Sequence, residues 1–250
     1  MLVPLYETVY DRLEVGADTR LLALGCGSGL ALLLAAARGA AVTGWDTDEH
    51  RLALARQRLL PEPTWGMRNA GLTRTRLLAG RADGLENDIR YGDYGVITAF
   101  DPAATAGELR PALAAVARSA PHGCAVVLAG WGPPERCSAS RVLTVAARLA
   151  EPRAATGPAA LLSGRDDLEN LARGAGLRPD GSGRVSCPFG YPDLASAVRG
   201  LQSTGLFDAA VEATDQQQVD KEIAEALHPY RRQDGTIRME NVFRYVIARA

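Results

Sequence analysis

Lysine is nearly missing from this chain: Lys221 is the only one in 250 residues, and histidine occurs three times. No lysine stands in the glycine-rich stretch at residues 25–29, which excludes a Walker-type loop, where a lysine must reach the phosphates. His50, His122 and His228 do not sit with cysteines or carboxylates at ligand spacing, so no metal site is read. The four cysteines, Cys26, Cys124, Cys137 and Cys187, are scattered without paired spacing and read as reduced thiols. A formal net charge of −1 gives no general attraction to nucleic acid or to an anionic membrane. Long apolar runs are absent too, so no segment is expected to span a bilayer. The first residues lack the basic and then apolar pattern of a secretory leader, and a cytoplasmic location is the expectation. Ser28 lacks the spacing of a GxSxG elbow, which leaves hydrolase chemistry unsupported. No internal repeat or low-complexity segment is present. These absences leave a small-molecule enzyme as the favoured class, built as one domain and expected as a monomer or homodimer.

The most informative stretch that is present runs Leu21-Leu22-Ala23-Leu24-Gly25-Cys26-Gly27-Ser28-Gly29. Its apolar start reads as a short buried strand, and the glycines end it in a tight turn that opens into a helix from Leu30 to Arg38. Gly25, Gly27 and Gly29 can take positive φ and bring a ligand close to main-chain N–H groups, at a helix N-terminus that favours polar or anionic groups. The next strand, Ala41 to Trp45, ends in Asp46 about 20 residues on, where an acid can accept from a ribose diol. Loop and acid together imply a nucleoside-containing ligand. Leu30 stands where a dinucleotide fingerprint has its third small residue, so NAD is not favoured.

Leu24-Gly25-Cys26-Gly27-Ser28-Gly29, followed by Thr43-Gly44-Trp45-Asp46, resembles motifs I and II of the class I S-adenosylmethionine-dependent methyltransferases. The resemblance implies a Rossmann-like α/β fold: a seven-stranded, mostly parallel sheet with helices on both faces and an antiparallel last strand. It implies S-adenosylmethionine, or S-adenosylhomocysteine as product, held by Gly25, Cys26, Gly27, Gly29, Asp46, Thr47, Ala82, Asp83 and Phe100. Asp46 would take the ribose hydroxyls and Asp83 the adenine amine. The family usually carries an acid two places before the first glycine, where it helps hold the methionine end of the cofactor; here that place is Ala23.

Along the chain, Pro4 to Leu13 has the stripe of one amphipathic helix, and residues 1–14 form an N-terminal element whose Tyr6 and Tyr10 are candidate pocket residues. Asp48 to Leu60 reads as a helix, Thr75 to Leu78 as a third strand, and Tyr94 to Phe100 as a fourth. Ala106 to Ser119 is a helix, Cys124 to Ala129 a fifth strand, and Ser138 to Leu149 a helix. Ser163 is placed to cap another helix ending near Gly174 or Gly176. Arg184 to Pro188 is a sixth strand and Asn241 to Ala248 a seventh. Residues 189–238 between them are too long for a hairpin and carry two helical stripes, which predicts a helical insert forming part of the substrate site. Ligands sit beyond the carboxyl ends of parallel strands, so Trp131, Phe189 and Tyr191, with Phe100, are expected to line one cavity with Tyr6 and Tyr10.

Two functions from different classes fit this reading. One is methyl transfer to a small organic molecule in natural-product biosynthesis. The other, motivated by Ala23, is a methyltransferase-fold cyclase or similar non-methylating enzyme that keeps a cofactor site. Methyl transfer asks mainly for alignment, so a base is optional; His228, Asp101 and Tyr191 are the candidates.

Overall fold

The computed structural model describes residues 2–60, 74–100, 108–150 and 164–250, and only the backbone of 90–92. It begins with α1 (Val3–Arg12), β1 (Arg20–Leu24), α2 (Leu30–Ala37), β2 (Ala41–Asp46), α3 (Glu49–Leu59) and β3 (Thr75–Ala79). Then come α4 (Leu85–Gly92), β4 (Val96–Ala99), α5 (Leu109–Ser119), β5 (Ala125–Trp131), α6 (Ala139–Leu149) and α7 (Asp167–Gly174). The chain finishes with β6 (Arg178–Ser186), β7 (Phe189–Tyr191), α8 (Leu194–Gln202), α9 (Asp208–Ala213), α10 (Gln216–Leu227), β8 (Ile237–Met239) and β9 (Val242–Arg249).

Seven strands form one sheet in the order β3-β2-β1-β4-β5-β9-β6. The first five are parallel, with Ala23 paired to Gly44 on one side and to Thr98 on the other. β9 runs the opposite way. Gly132 N–H donates to Val242 O (2.7 Å) and Ala250 N–H to Cys124 O (3.2 Å), so numbers fall along β9 as they rise along β5. This is the Rossmann-like sheet with an antiparallel last strand that the sequence implied. The near-continuous apolar runs of β1 and β5 are buried except at the strand ends, Arg20 and Trp131, as strands covered on both faces must be. α3 starts where Asp48 accepts from the N–H groups of His50 (2.8 Å) and Arg51 (3.2 Å), satisfying two of the donors that every helix start leaves unpaired.

The chain divides into two compact units. The larger comprises Val3–Gly130, Asp166–Gly183 and Arg244–Ala250. Within it, α1 is held to α2 by Arg38, which pairs with Glu7 and Asp11 and lies 5.7 Å from the Tyr10 ring centroid. The other unit comprises Met1–Leu2, Trp131–Arg165 and Arg184–Phe243, and so includes α6 as well as the expected insert. Its knot is Asn241, 1% exposed. The Asn241 side chain accepts from Ala139 N–H (2.9 Å) and donates to Met239 O (3.3 Å), while its carbonyl accepts from Cys187 N–H (2.8 Å). α8 and α10 are the two helical stripes of the insert, and each begins at an aspartate, Asp193 and Asp215, that accepts main-chain N–H bonds.

Several sequence-based expectations shift. β6 starts at Arg178, six residues earlier than read, because Gly181 and Gly183 serve close packing rather than a turn: a Cβ on Gly183 would lie 2.5 Å from the Tyr245 ring. Trp131 ends β5 instead of following it. The helix read from Ser163 starts at Asp167 with Asp166 in the cap position, and Ser163 lies outside the described residues. α4, and the two-stranded antiparallel pair of β7 with β8 at the two ends of the insert, were not anticipated.

Candidate functional site

β1 ends at Leu24, and the next three glycines are all left-handed: Gly25 at φ 67°, Gly27 at 54° and Gly29 at 79°. Trp45 at the end of β2 holds the start of the turn, its carbonyl accepting from Gly25 N–H (2.8 Å) and Cys26 N–H (3.0 Å). Asp46 holds the middle. Its Oδ2 accepts from Gly27 N–H at 2.8 Å and its Oδ1 from Asp48 N–H at 3.0 Å, with no part of the residue exposed. The loop is packed from below by Gly44, where a Cβ would come within 2.6 Å of Leu32 Cδ1 and 2.8 Å of Cys26 Sγ. It is packed from the side at Gly29, where a Cβ would meet Ala55 and Leu59 of α3 at 3.0 Å. Gly27 differs, since among the described residues nothing lies within 4 Å of a Cβ built there. The loop main chain at Gly27 therefore borders open space, and α2 begins beside it with no side-chain cap on its first N–H groups.

Cys26 contributes no nucleophile. Burial, helped by the nearby Asp46 carboxylate, pushes its thiol up to about 12, so it is neutral at ordinary pH. Thr47 is exposed at the start of the turn after β2. Arg58 of α3, absent from the sequence reading, donates to Ser28 O (2.7 Å) and Ser28 Oγ (2.9 Å), tying the loop's outer shoulder.

After β3 the chain makes a single 3-10 turn, Ala82–Gly84. Asp83 is exposed there. Ala82 N–H is already taken: it donates to Glu108 Oε2 at 2.9 Å, and Glu108 Oε1 pairs with Arg81 at 3.0 Å. No local pattern announces Glu108, which arrives from the start of α5, 26 residues away.

The aromatic candidates gather in two clusters, one in each unit. In the larger, Phe100 lies 4.9 Å from Tyr6 and 5.9 Å from Tyr10 between ring centroids. Tyr10 is a core residue, fully buried, with its hydroxyl donating to Ala31 O at 2.9 Å and its pKa raised by burial. In the other unit, Trp131 lies 5.8 Å from Phe189 and 4.6 Å from Phe243. Phe243 was not singled out in the sequence, because inside a strand it is indistinguishable from core. Tyr191 is half-buried; its hydroxyl has no hydrogen-bond partner among the described residues, and burial raises its pKa, which leaves it a neutral phenol. His228 is exposed in the turn after α10. Asp101 lies outside the described residues. Among the described residues no group of histidine, cysteine and carboxylate side chains could hold a metal, and no helix is long and apolar enough to cross a membrane.

Residues 22–86 match the family model of a methyltransferase domain, a span that contains the glycine loop, Asp46 and Asp83. No curated protein matches the chain in sequence. Among solved structures it is similar to a candidate methyltransferase of Bacillus halodurans, with a TM-score of 0.61 at 12% identity over 98% of this chain and 97% of the other. It is also similar to the [4+2]-cyclase SpnF, with a TM-score of 0.59 at 18% identity over 98% of this chain and 80% of that one. A geranyl diphosphate methyltransferase in complex with SAM gives 0.51 at 14% identity over 98% and 84%. At these identities the likeness is one of fold.

Proposed function

We propose that this chain, whose residues 22–86 carry a methyltransferase domain on a Rossmann-like methyltransferase fold, binds S-adenosylmethionine and transfers its methyl group to a small organic acceptor. The observation that carries the reading is the loop at Gly27: left-handed, bordering open space and hydrogen-bonded to a buried acid at the end of the neighbouring strand. A loop needed only for packing would be filled at Gly27 as it is at Gly29 and Gly44. When bound, S-adenosylmethionine supplies a methyl carbon already activated by its sulfonium.

The protein's share is to bind, orient and exclude water, which can contribute about 7–11 kcal/mol to such a step without any residue exchanging a proton. Gly27 and the uncapped first turn of α2 offer main-chain contact to the cofactor. Asp46 spends one Oδ2 lone pair on Gly27 N–H of the loop and one Oδ1 lone pair on Asp48 N–H after β2, and the second lone pair of each oxygen is offered to a ribose hydroxyl. Asp83 offers an exposed acceptor for the adenine amine, whereas Ala82 N–H becomes available only if Glu108 turns away. Trp131, part-exposed and backed by the buried rings of Phe189 and Phe243, offers an aromatic face suited to an apolar acceptor of the kind found in natural-product biosynthesis. The soluble setting of this chemistry is the cytoplasm, with the protein acting as a monomer or homodimer.

Ala23 favours a second reading. It is 4% exposed, and its strand partners Gly44 and Thr98 bring no carboxylate to the place where the resembling family has one. The fold neighbour SpnF, named a [4+2]-cyclase, makes a non-methylating enzyme the alternative. One assay separates them: purified protein is incubated with candidate acceptors and methyl-labelled S-adenosylmethionine. Label in product supports methyl transfer. Conversion without label, undiminished when S-adenosylhomocysteine replaces the donor, selects the alternative.

A further inference from the structure

β6 is one edge of the seven-stranded sheet: its neighbour is β9, and among the described residues no strand lies on its other side. The main-chain groups of successive residues in a strand point to alternate sides. Cys187 N–H, just past the end of β6, donates to Asn241 O (2.8 Å), so the even-numbered residues of β6 turn their N–H and C=O groups to the open side. There Ser182 O accepts from the Arg12 guanidinium (2.9 Å), one side-chain bond that leaves its second lone pair free. Arg178, Asp180, Ser182, Arg184 and Ser186 share one face of the strand and are all exposed. An exposed edge nine residues long is a template for another strand.

The charges on this edge select the occupant. Asp180 and Arg184 lie symmetrically about Ser182. Two copies of β6 laid antiparallel, with Ser182 opposite Ser182, therefore set Asp180 of each against Arg184 of the partner subunit. Arg178 then faces Ser186 of the partner subunit, and on the opposite face Gly181 meets Gly183 of the partner subunit, so no side chain obstructs the approach. Neighbouring registers lack this match. A symmetry axis at Asp180 or at Arg184 puts that charge opposite itself, one at Gly181 sets Arg178 against Arg184, and one at Gly183 leaves neither charge a counterion; like charges directly opposite are destabilising. Both charges are free to pair. Asp180 gives Oδ2 to Arg249 (2.9 Å) and keeps Oδ1, and Arg184 makes no ion pair with the described residues.

We propose that β6 is the self-association surface of this protein, pairing antiparallel with β6 of a second copy about a two-fold axis at Ser182 so that the two sheets become one. The contact is isologous and closes on itself, which ends assembly at the dimer. It stands independently of the cofactor reading.

Sedimentation equilibrium on the full chain tests it, with thermal melts alongside. Wild type should dimerise with a Kd of about 10 μM or tighter. Arg184→Asp and Asp180→Arg should each weaken association about tenfold or more, because each variant alone sets like charges opposite one another. Mixed in equal amounts, the two variants should form a heterodimer, since every aspartate then meets an arginine. Ser182→Cys gives a second, geometric readout: at the axis the two Cα atoms lie about 5.5 Å apart, within disulfide reach, so mild oxidation should link the chains, whereas Ser186→Cys, displaced from the axis, should not link. If a charge variant fails to fold, this cysteine pair decides. A wild type that is monomeric at about 100 μM overturns the proposal, as does a dimer indifferent to both charge reversals. A mixture that stays monomeric, or a Ser186→Cys link as rapid as that of Ser182→Cys, overturns it too, by removing the register on which it stands.

Discussion

The carboxylate of Asp46 and the main-chain N–H of Gly27 are joined by a 2.8 Å hydrogen bond beneath a surface that leaves Asp46 no exposure. The acid that a sequence reading gives to a ribose is therefore also the clasp that holds the glycine loop to β2. On the proposed reading, binding and loop geometry run through one side chain, and removing it should affect both.

Asp46→Asn tests the coupling. The amide can accept only through its oxygen, so one of the N–H groups of Gly27 and Asp48 meets a donor instead of an acceptor, at a cost of about 1–3 kcal/mol. Urea denaturation should show that loss, and calorimetry with S-adenosylhomocysteine should show affinity lower by about one to two decades. Lost affinity with unchanged stability would mean that the clasp contributes nothing to the fold.

Two glycines with different reasons for being glycine should respond differently to alanine. At Gly44 the new methyl enters a packed space 2.6 Å from Leu32 Cδ1, and overpacking of this kind costs about 1–3 kcal/mol. At Gly27 the methyl meets nothing and the cost is the left-handed backbone, about 1–2 kcal/mol. Gly27→Ala should then weaken cofactor binding beyond what its stability loss explains, because its methyl points into the space the ligand would take. Melting curves and binding isotherms on both variants check the contrast.

The loop, Asp46 and the succession of the first strands along the chain were legible because each depends on residues close in sequence: a branched apolar run, a glycine turn, the next run and its terminal acid. What escaped depends on distant partners. Gly181 and Gly183 look like a turn until the Tyr245 ring and Arg12 guanidinium are seen to need their bare Cα atoms, which makes the stretch a strand. Glu108 reaches Ala82 across 26 residues. β7 and β8 are three residues each and pair across the whole insert, too short for alternation to show. The aromatic residues were read as lining one cavity; their ring contacts fall into a Tyr6-Tyr10-Phe100 group and a Trp131-Phe189-Phe243 group, a division that spacing along the chain cannot express. Asp101 stays an expectation from its place after β4.

Asn241 should be among the least replaceable residues of the second unit. Asn241→Ala leaves Ala139 N–H and Met239 O without their side-chain partner in a buried setting, and each orphaned group costs about 1–3 kcal/mol. Chemical denaturation should report a combined loss of about 2–6 kcal/mol, whereas exposed His228→Ala should stay within about 0.5 kcal/mol. If His228→Ala also abolishes turnover at unchanged stability, its assignment as a base gains the support that its exposure does not provide.

The buried thiols set an alkaline limit on stability. Burial raises both Cys26 and Cys124 from an ordinary value of 9.0 to about 12 in the folded chain. The unfolded chain therefore ionises first. Both contributions are complete below pH 9 and decline as pH rises from 9 toward 12, at up to about 1.4 kcal/mol per pH unit per thiol. Cys124, 3% exposed, should show the effect more fully than the half-buried Cys26. Other groups titrate in the same window, so the informative quantity is the slope of stability against pH in wild type minus that in Cys124→Ala. Any packing defect in the variant shifts its curve by a constant and leaves that slope difference intact. A shallower slope in Cys124→Ala between pH 9 and 11 is expected, together with slow alkylation of both thiols in the native protein at pH 8; parallel slopes would show that the folded thiol ionises as readily as the unfolded one.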